Sequence, residues 1–255
     1  MSSNDRIKFS LRKNPLRRNY VERHEFTCLE VNIPVGGNWM KRVFCRAEQI
    51  VPKLNAGQAN SSEKREMSIV EIDNLSGIIA EAACQEVLEW RYGKGSVIKP
   101  RNDTSYNQID LELYNEKTIE VRSSCVRNGI DFALFARNKE NPDEQYFDVI
   151  GPYSNGYKKG EDYKDYYMRV LYVCDKKNFM DLFEEPMLRL YITGGATESM
   201  MVDSDYYQLK HLTPAGGQVK VESDYQVIPL AKSLDIKEFF AVLEEENDRM
   251  TVVHP

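Results

Sequence analysis

Histidine is scarce in this 255-residue chain, present only at 24, 211 and 254, and no local context joins any of them to a serine or cysteine as a triad or Cys-His pair. Nucleophilic catalysis of that type is therefore set aside, Ser123-Ser124-Cys125 notwithstanding. The five cysteines (28, 45, 84, 125 and 174) lie far apart with no C-x-x-C pair. That argues against a disulfide framework or a structural zinc site and leaves reduced thiols. Mean hydropathy is -0.55 and no apolar run approaches the roughly 18 residues of a membrane span. The charged opening MSSNDRIKFSLRK has no apolar stretch for export, so the cytoplasm is the expected location. Repeats, low-complexity tracts and heptads are missing too. Gly194-Gly195 and Gly216-Gly217 lack the Gly-Lys-Ser/Thr ending of a phosphate loop and read as turn chemistry.

What is present is an uneven charge. The formal net of -6 points away from a polyanionic partner, but residues 1–66 hold 13 Lys and Arg against 7 Asp and Glu. The remaining residues hold 21 against 33, so a segment of +6 precedes a body of -12. Arg12, Lys13, Arg17 and Arg18 sit in the densest part, which reads either as a phosphate-binding arm or as a solvated basic surface.

At this length the chain forms one large domain or a core with an appendage. The division expected is a basic, β-rich region over 1–66 and a core with a C-terminal extension over 67–255. HEFTCLEVNI is rich in branched and aromatic residues and ends at the turn Pro34-Val35-Gly36-Gly37, and MKRVFCRAEQIV reads as a second strand. NAGQANSSEKR (55–65) is the expected linker. A helix is predicted from Ser68 to Tyr92, with Glu71 completing a capping box and Gly93 as the stop. Ile72, Leu75, Ile79, Ala83 and Trp90 share its core-facing side. Glu81 lies elsewhere, flanked by Gly77, Cys84 and Leu88, a poor setting for a solvated carboxylate. YFDVIG, YYMRVLYVC, LRLYIT and YQVIPL read as further strands, the second central and buried. Asp235 with Glu238 caps a closing amphipathic helix. The expected fold class is α/β (α+β), a mixed central sheet flanked by helices.

Between the long helix and these strands, QIDLELY and KTIEVRSS each alternate with a period of two. A turn around Asn115 makes them a hairpin. For Asp110 to face Glu120 or Arg122, the paired numbers must have an even sum, which requires an odd loop, most simply of three residues. Opposed positions place Cβ atoms ~4.5–5.5 Å apart. Two carboxylates that close repel unless a cation lies between them, and either Mg²⁺ or Arg122 can supply it.

Asp110, nine intervening residues, then Glu120-Val121-Arg122, preceded by Gly77-Ile78-Ile79-Ala80-Glu81 on a helix, resembles the PD-(D/E)XK or restriction-endonuclease-like nucleases. The resemblance covers roughly Ser68 to Val173. Arg122 stands where that family usually has Lys, and Ile109 where it often has Pro. The resemblance implies a Mg²⁺-dependent endonuclease, with Mn²⁺ as a substitute, cleaving double-stranded DNA in restriction or antiviral defence. Asp110 and Glu120 would hold metal, Glu81 would complete or orient the site, and Arg122 would hold the phosphate. Arg12, Lys13, Arg17, Arg18, Lys99 and Arg101 would grip DNA. A homodimer, or a subunit of a multi-protein defence complex, is expected, with no membrane partner. For Arg122 three roles stay open: transition-state stabiliser, a residue superseded by Lys99, or the mark of a catalytically silent module that binds nucleic acid or protein.

Overall fold

The computed structural model describes residues 6–13, 26–50, 67–100, 109–126, 149–155, 160–211, 223–229, 232–247 and 250–254. Arg17, Arg18, Arg101, Gly216-Gly217 and the expected linker lie outside the described residues.

The chain forms a mixed α+β structure around a seven-stranded sheet. In chain order the elements are β1 (Lys8–Lys13), β2 (Thr27–Pro34), α1 (Asn38–Ile50), α2 (Met67–Tyr92), β3 (Val97–Ile98), β4 (Leu111–Leu113), β5 (Thr118–Val126), β6 (Val149–Asn155) and β7 (Tyr166–Asp175). A 3-10 helix (Lys176–Phe183) follows, then β8 (Met187–Thr197), α3 (Glu198–Val202), β9 (Gln208–His211), β10 (Ser223–Ile228) and α4 (Ile236–Glu246). The main sheet runs β1-β2-β8-β7-β5-β4-β3, and β6-β10-β9 make a second, antiparallel sheet. Within the main sheet β5 and β7 run parallel and the other pairs antiparallel.

The two faces of the main sheet are sorted by alternation. Ile119 and Val121 of β5, Tyr166, Met168, Val170 and Tyr172 of β7, and Leu188, Leu190 and Ile192 of β8 join one apolar core with α1, α2 and α4. Tyr167 and Ala196 point away and pack instead with Val149, Ile228, Met200 and Met201, fixing the second sheet and α3 over the opposite face. β7 is the middle strand and nearly all buried, as its apolar run implies.

Two local readings are corrected. MKRVFCRAEQI is the helix α1, not a strand. Its apolar residues Trp39, Met40, Val43 and Ala47 fall at helical spacing and are buried, while Lys41, Arg42, Cys45 and Glu48 are exposed. The N-terminal region is therefore β-β-α, and its strands extend the core's own sheet. Gly194-Gly195 lies within β8, where a Cβ on Gly195 would meet the Tyr167 carbonyl oxygen at 1.8 Å. Gly194 has φ +111°, and Gly195 exchanges hydrogen bonds with Leu234 (3.0 and 2.9 Å), so the pair lets the lead-in to α4 dock on the sheet. His254 stacks on Trp90 at 5.5 Å.

α2 ends at Tyr92 with Gly93 at φ +92°, the left-handed stop its sequence implies. It starts at Met67, one residue before the expected cap. α4 has the expected capping box: Asp235 Oδ1 accepts from the Lys237 and Glu238 amides (2.9 Å each), and Glu238 accepts from the Asp235 amide at 2.8 Å.

Candidate active site

The β4–β5 hairpin sets the geometry. Leu111 pairs with Ile119 and Glu112 with Thr118, and the turn is the three residues Tyr114-Asn115-Glu116, closed by a 2.8 Å bond from the Leu113 amide to the Lys117 carbonyl. Glu116 adopts φ +67°, the left-handed residue such a three-residue loop requires. One step outward, the same register sets Asp110 opposite Glu120. Asp110 Oδ2 accepts from the Val121 amide at 2.8 Å, which pins this carboxylate to the edge of β5.

Glu81 reaches the pair from α2. It is 8% exposed and Asp110 6%, so two carboxylates are removed from water at one spot. Arg46 Nη2 donates to Glu81 Oε2 at 3.1 Å, and Lys99, just past β3, donates to the same oxygen. On β5, Arg122 Nη2 donates to Glu120 Oε1 and Glu161 Oε2, each at 2.8 Å, while its Nε has no hydrogen-bond partner among the described residues. Tyr153 of β6 covers this group, its ring centre 5.7 Å from the guanidinium carbon. Next in register on β7, buried Arg169 donates to the Arg122 carbonyl (3.2 Å) and to Ser124 Oγ (2.9 Å), so a second guanidinium braces β5.

Burial raises the proton affinity of all three carboxylates. Glu81 is pushed well above the usual range by burial first and then by Asp110, against the pull of Arg46. Asp110 also rises through burial, opposed by the Val121 amide and by Arg122. Glu120 is pushed up to about 7 by burial, with Asp110 and Glu161 adding to it and Arg122 and Lys164 opposing. Burial disfavours the Arg122 charge, but Glu120, Glu161 and Asp110 more than offset this and hold the guanidinium above its ordinary range. Four carboxylates (Glu81, Asp110, Glu120, Glu161) thus share a pocket with Arg46, Lys99, Arg122 and Lys164.

The structure therefore brings Glu81, Asp110, Glu120, Arg122 and Lys99 together. It does not bring Arg12 and Lys13 to them: both lie on β1, the far edge strand, with β2, β8 and β7 between it and β5. At ~4.8 Å per strand that is roughly 19 Å away. Arg12 is paired there with Glu30 through two 3.2 Å hydrogen bonds. Sequence reading missed Arg46, Glu161, Lys164 and Arg169. Arg46 was legible had the spacing of Trp39, Met40, Val43 and Ala47 been taken as helical; Glu161 and Lys164 have no periodic signal, because they come from an irregular lead-in to β7. Of the tyrosines leading into β7, Tyr166 and Tyr167 are core residues and Tyr163 is exposed.

Among the described residues no three His, Cys, Asp or Glu side chains form a group arranged to hold a metal ion. The donor set still suits one. Carboxylate oxygens are the donors a hard divalent cation takes, and Glu81, Asp110 and Glu120 are the residues that could supply them.

No family model matches the chain, and no solved structure matches it. It is similar to an uncharacterized protein of the archaeon Methanocaldococcus jannaschii, 23% identical over 239 residues covering 78% of each chain. No helix among the described residues is long and apolar enough to cross a membrane.

Proposed function

We propose that this protein is a Mg²⁺-dependent endonuclease of the restriction-endonuclease-like type, acting on double-stranded DNA. The observation that carries the reading is the convergence of Glu81, Asp110 and Glu120, from a helix, a strand entrance and the next strand, with Lys99 hydrogen-bonded to the first. Asp110, Glu120 and Glu81 would hold the divalent cation, whose chemistry when bound is to acidify a water and offset charge on the phosphate. Glu120, hydrogen-bonded by Arg122 at 2.8 Å, would orient the attacking water through that cation. The water, giving up a proton to solvent, would bond to phosphorus as the bond from phosphorus to the sugar oxygen breaks, and that leaving oxygen takes up a proton. Lys99 supplies the compact ammonium that Arg122 cannot, and Arg122, tied to Glu120 and Glu161, fixes the orientation of Glu120. The test is plasmid cleavage in Mg²⁺ or Mn²⁺ by wild type beside Asp110→Ala. Cleavage by wild type alone is expected; equal nicking by both overturns the assignment.

A second reading is favoured by one observation. Arg46, Lys99 and Arg122 each already pair with a carboxylate of the cluster, without metal. A nuclease-like module that binds without cutting has this property. It predicts duplex binding with no metal-dependent product from either protein.

A further inference from the structure

The outer face of α1 has no part in the carboxylate cluster except through Arg46. Asn38, Lys41, Arg42, Cys45, Arg46 and Gln49 line an open depression of about 530 Å³ on that face. Lys41 and Arg42 are exposed and form no ion pair among the described residues. Glu48, the only carboxylate of α1, is not part of the lining. Among the described residues Lys41 and Arg42 thus face a concavity lined by no carboxylate, beside Arg46, whose charge is met by Glu81; two exposed neighbouring cations there attract a negatively charged ligand.

The lining also indicates what kind of anion fits. Among the described residues it has no aromatic ring on which a base could stack, and it is open along the helix, which suits a chain passing through and not an enclosed small molecule. The position adds the last constraint: Arg46 lines the depression and also donates to Glu81 at 3.1 Å, so the depression adjoins the carboxylate cluster. We infer that α1 is a backbone track for DNA, with Lys41 and Arg42 binding phosphates next to the one delivered to the carboxylates. This rests on the nuclease reading for its substrate and differs from the expected grip by Arg12, Lys13, Arg17 and Arg18, because α1 and not β1 carries the arginine that reaches Glu81.

The experiment measures binding of a fluorescent 25-base-pair duplex to the full-length protein by anisotropy, in EDTA so that no cleavage intervenes. Wild type is compared with Lys41→Ala/Arg42→Ala, with Lys94→Ala/Lys237→Ala as a charge-matched control on exposed residues elsewhere, and with Asp110→Ala. The track variant should weaken binding about tenfold or more and lower the log–log salt slope by roughly 2, equally for unrelated duplex sequences. The control should change little. Binding by the track variant equal to wild type overturns the inference, as does an equal loss in the control, a loss limited to one sequence, or no duplex binding by wild type. Failure of the nuclease reading shows separately: if Asp110→Ala still cuts plasmid, the carboxylate assignment falls while the binding comparison decides the track on its own.

Discussion

Arg122 lies between Glu120 and Glu161, so truncating it leaves two mostly buried carboxylates facing each other without a counter-ion. Arg122→Ala is expected to destabilise the fold by about 3 kcal/mol, and Arg122→Lys by less because an ammonium retains one partner. Urea unfolding of the three proteins checks this, and equal midpoints would show that the clamp contributes nothing. Glu120 gives a pH signature. Its affinity for protons is raised from the ordinary 4.5 to about 7 in the folded protein. Between those values the native state binds more protons than the unfolded chain, so stability is fully present at low pH and falls as pH rises through the window. Glu30 acts in the opposite sense: burial would raise it, but hydrogen bonds from Arg12, Asn32 and Tyr191 prevail and hold it at about 2, so its contribution is constant above pH 5. Metal-free protein in EDTA should therefore melt a few degrees lower at pH 8 than at pH 5, and Glu120→Gln should flatten that difference. A melting temperature that rises over the same interval in wild type would contradict the burial of these carboxyls.

At the scale of elements, Asp235 shows how much one capping residue can tie together. Oδ1 caps α4 through two amides, while Oδ2 accepts from the Thr27 amide of β2 at 3.0 Å. Asp235→Ala is expected to cost about 2 kcal/mol, more than an isolated cap, and Asp235→Asn should recover part of the loss; thermal melts of both variants test this. The cap was legible because its signal is local, an Asp three residues before a Glu at the head of an apolar stripe. So was the hairpin, because alternation along QIDLELY and KTIEVRSS permits an odd turn only if Asp110 and Glu120 share a face. α1 was misread because its branched and aromatic residues suit a strand, and tertiary burial of one helical face settled the choice. Glycines 194 and 195 were misread for a similar reason: nothing local reveals that another segment, Leu234-Asp235, must approach a strand that closely. The polar neighbours Glu161, Lys164 and Arg169 were out of reach because the parallel pairing of β5 with β7 is a long-range contact.

Across the whole molecule, α2 is where distant parts of the chain meet. Phe9 of β1 lies 5.2 Å from Trp90, His254 stacks on the same indole at 5.5 Å, and the Val253 amide donates to the Arg91 carbonyl at 2.7 Å. His254→Ala should expose Trp90, shifting its emission to the red and lowering the melting temperature by a degree or two, with duplex binding unchanged; an unshifted spectrum would show that the stack is not kept in solution. The same long reach has a consequence for biosynthesis. β2 finds its inner neighbour only in β8, with Leu29 opposite Ile192, about 160 residues later in the chain. At roughly 5–20 residues per second, the ribosome takes on the order of ten to thirty seconds to supply that partner. Throughout that interval Cys28, Leu29, Val31 and Ile33 have only β1 to pair with, and the growing chain carries an open apolar edge. A translational pause anywhere between α1 and β8 lengthens that exposure, so the pace of synthesis governs how much chain reaches the closed sheet and how much is lost to aggregation.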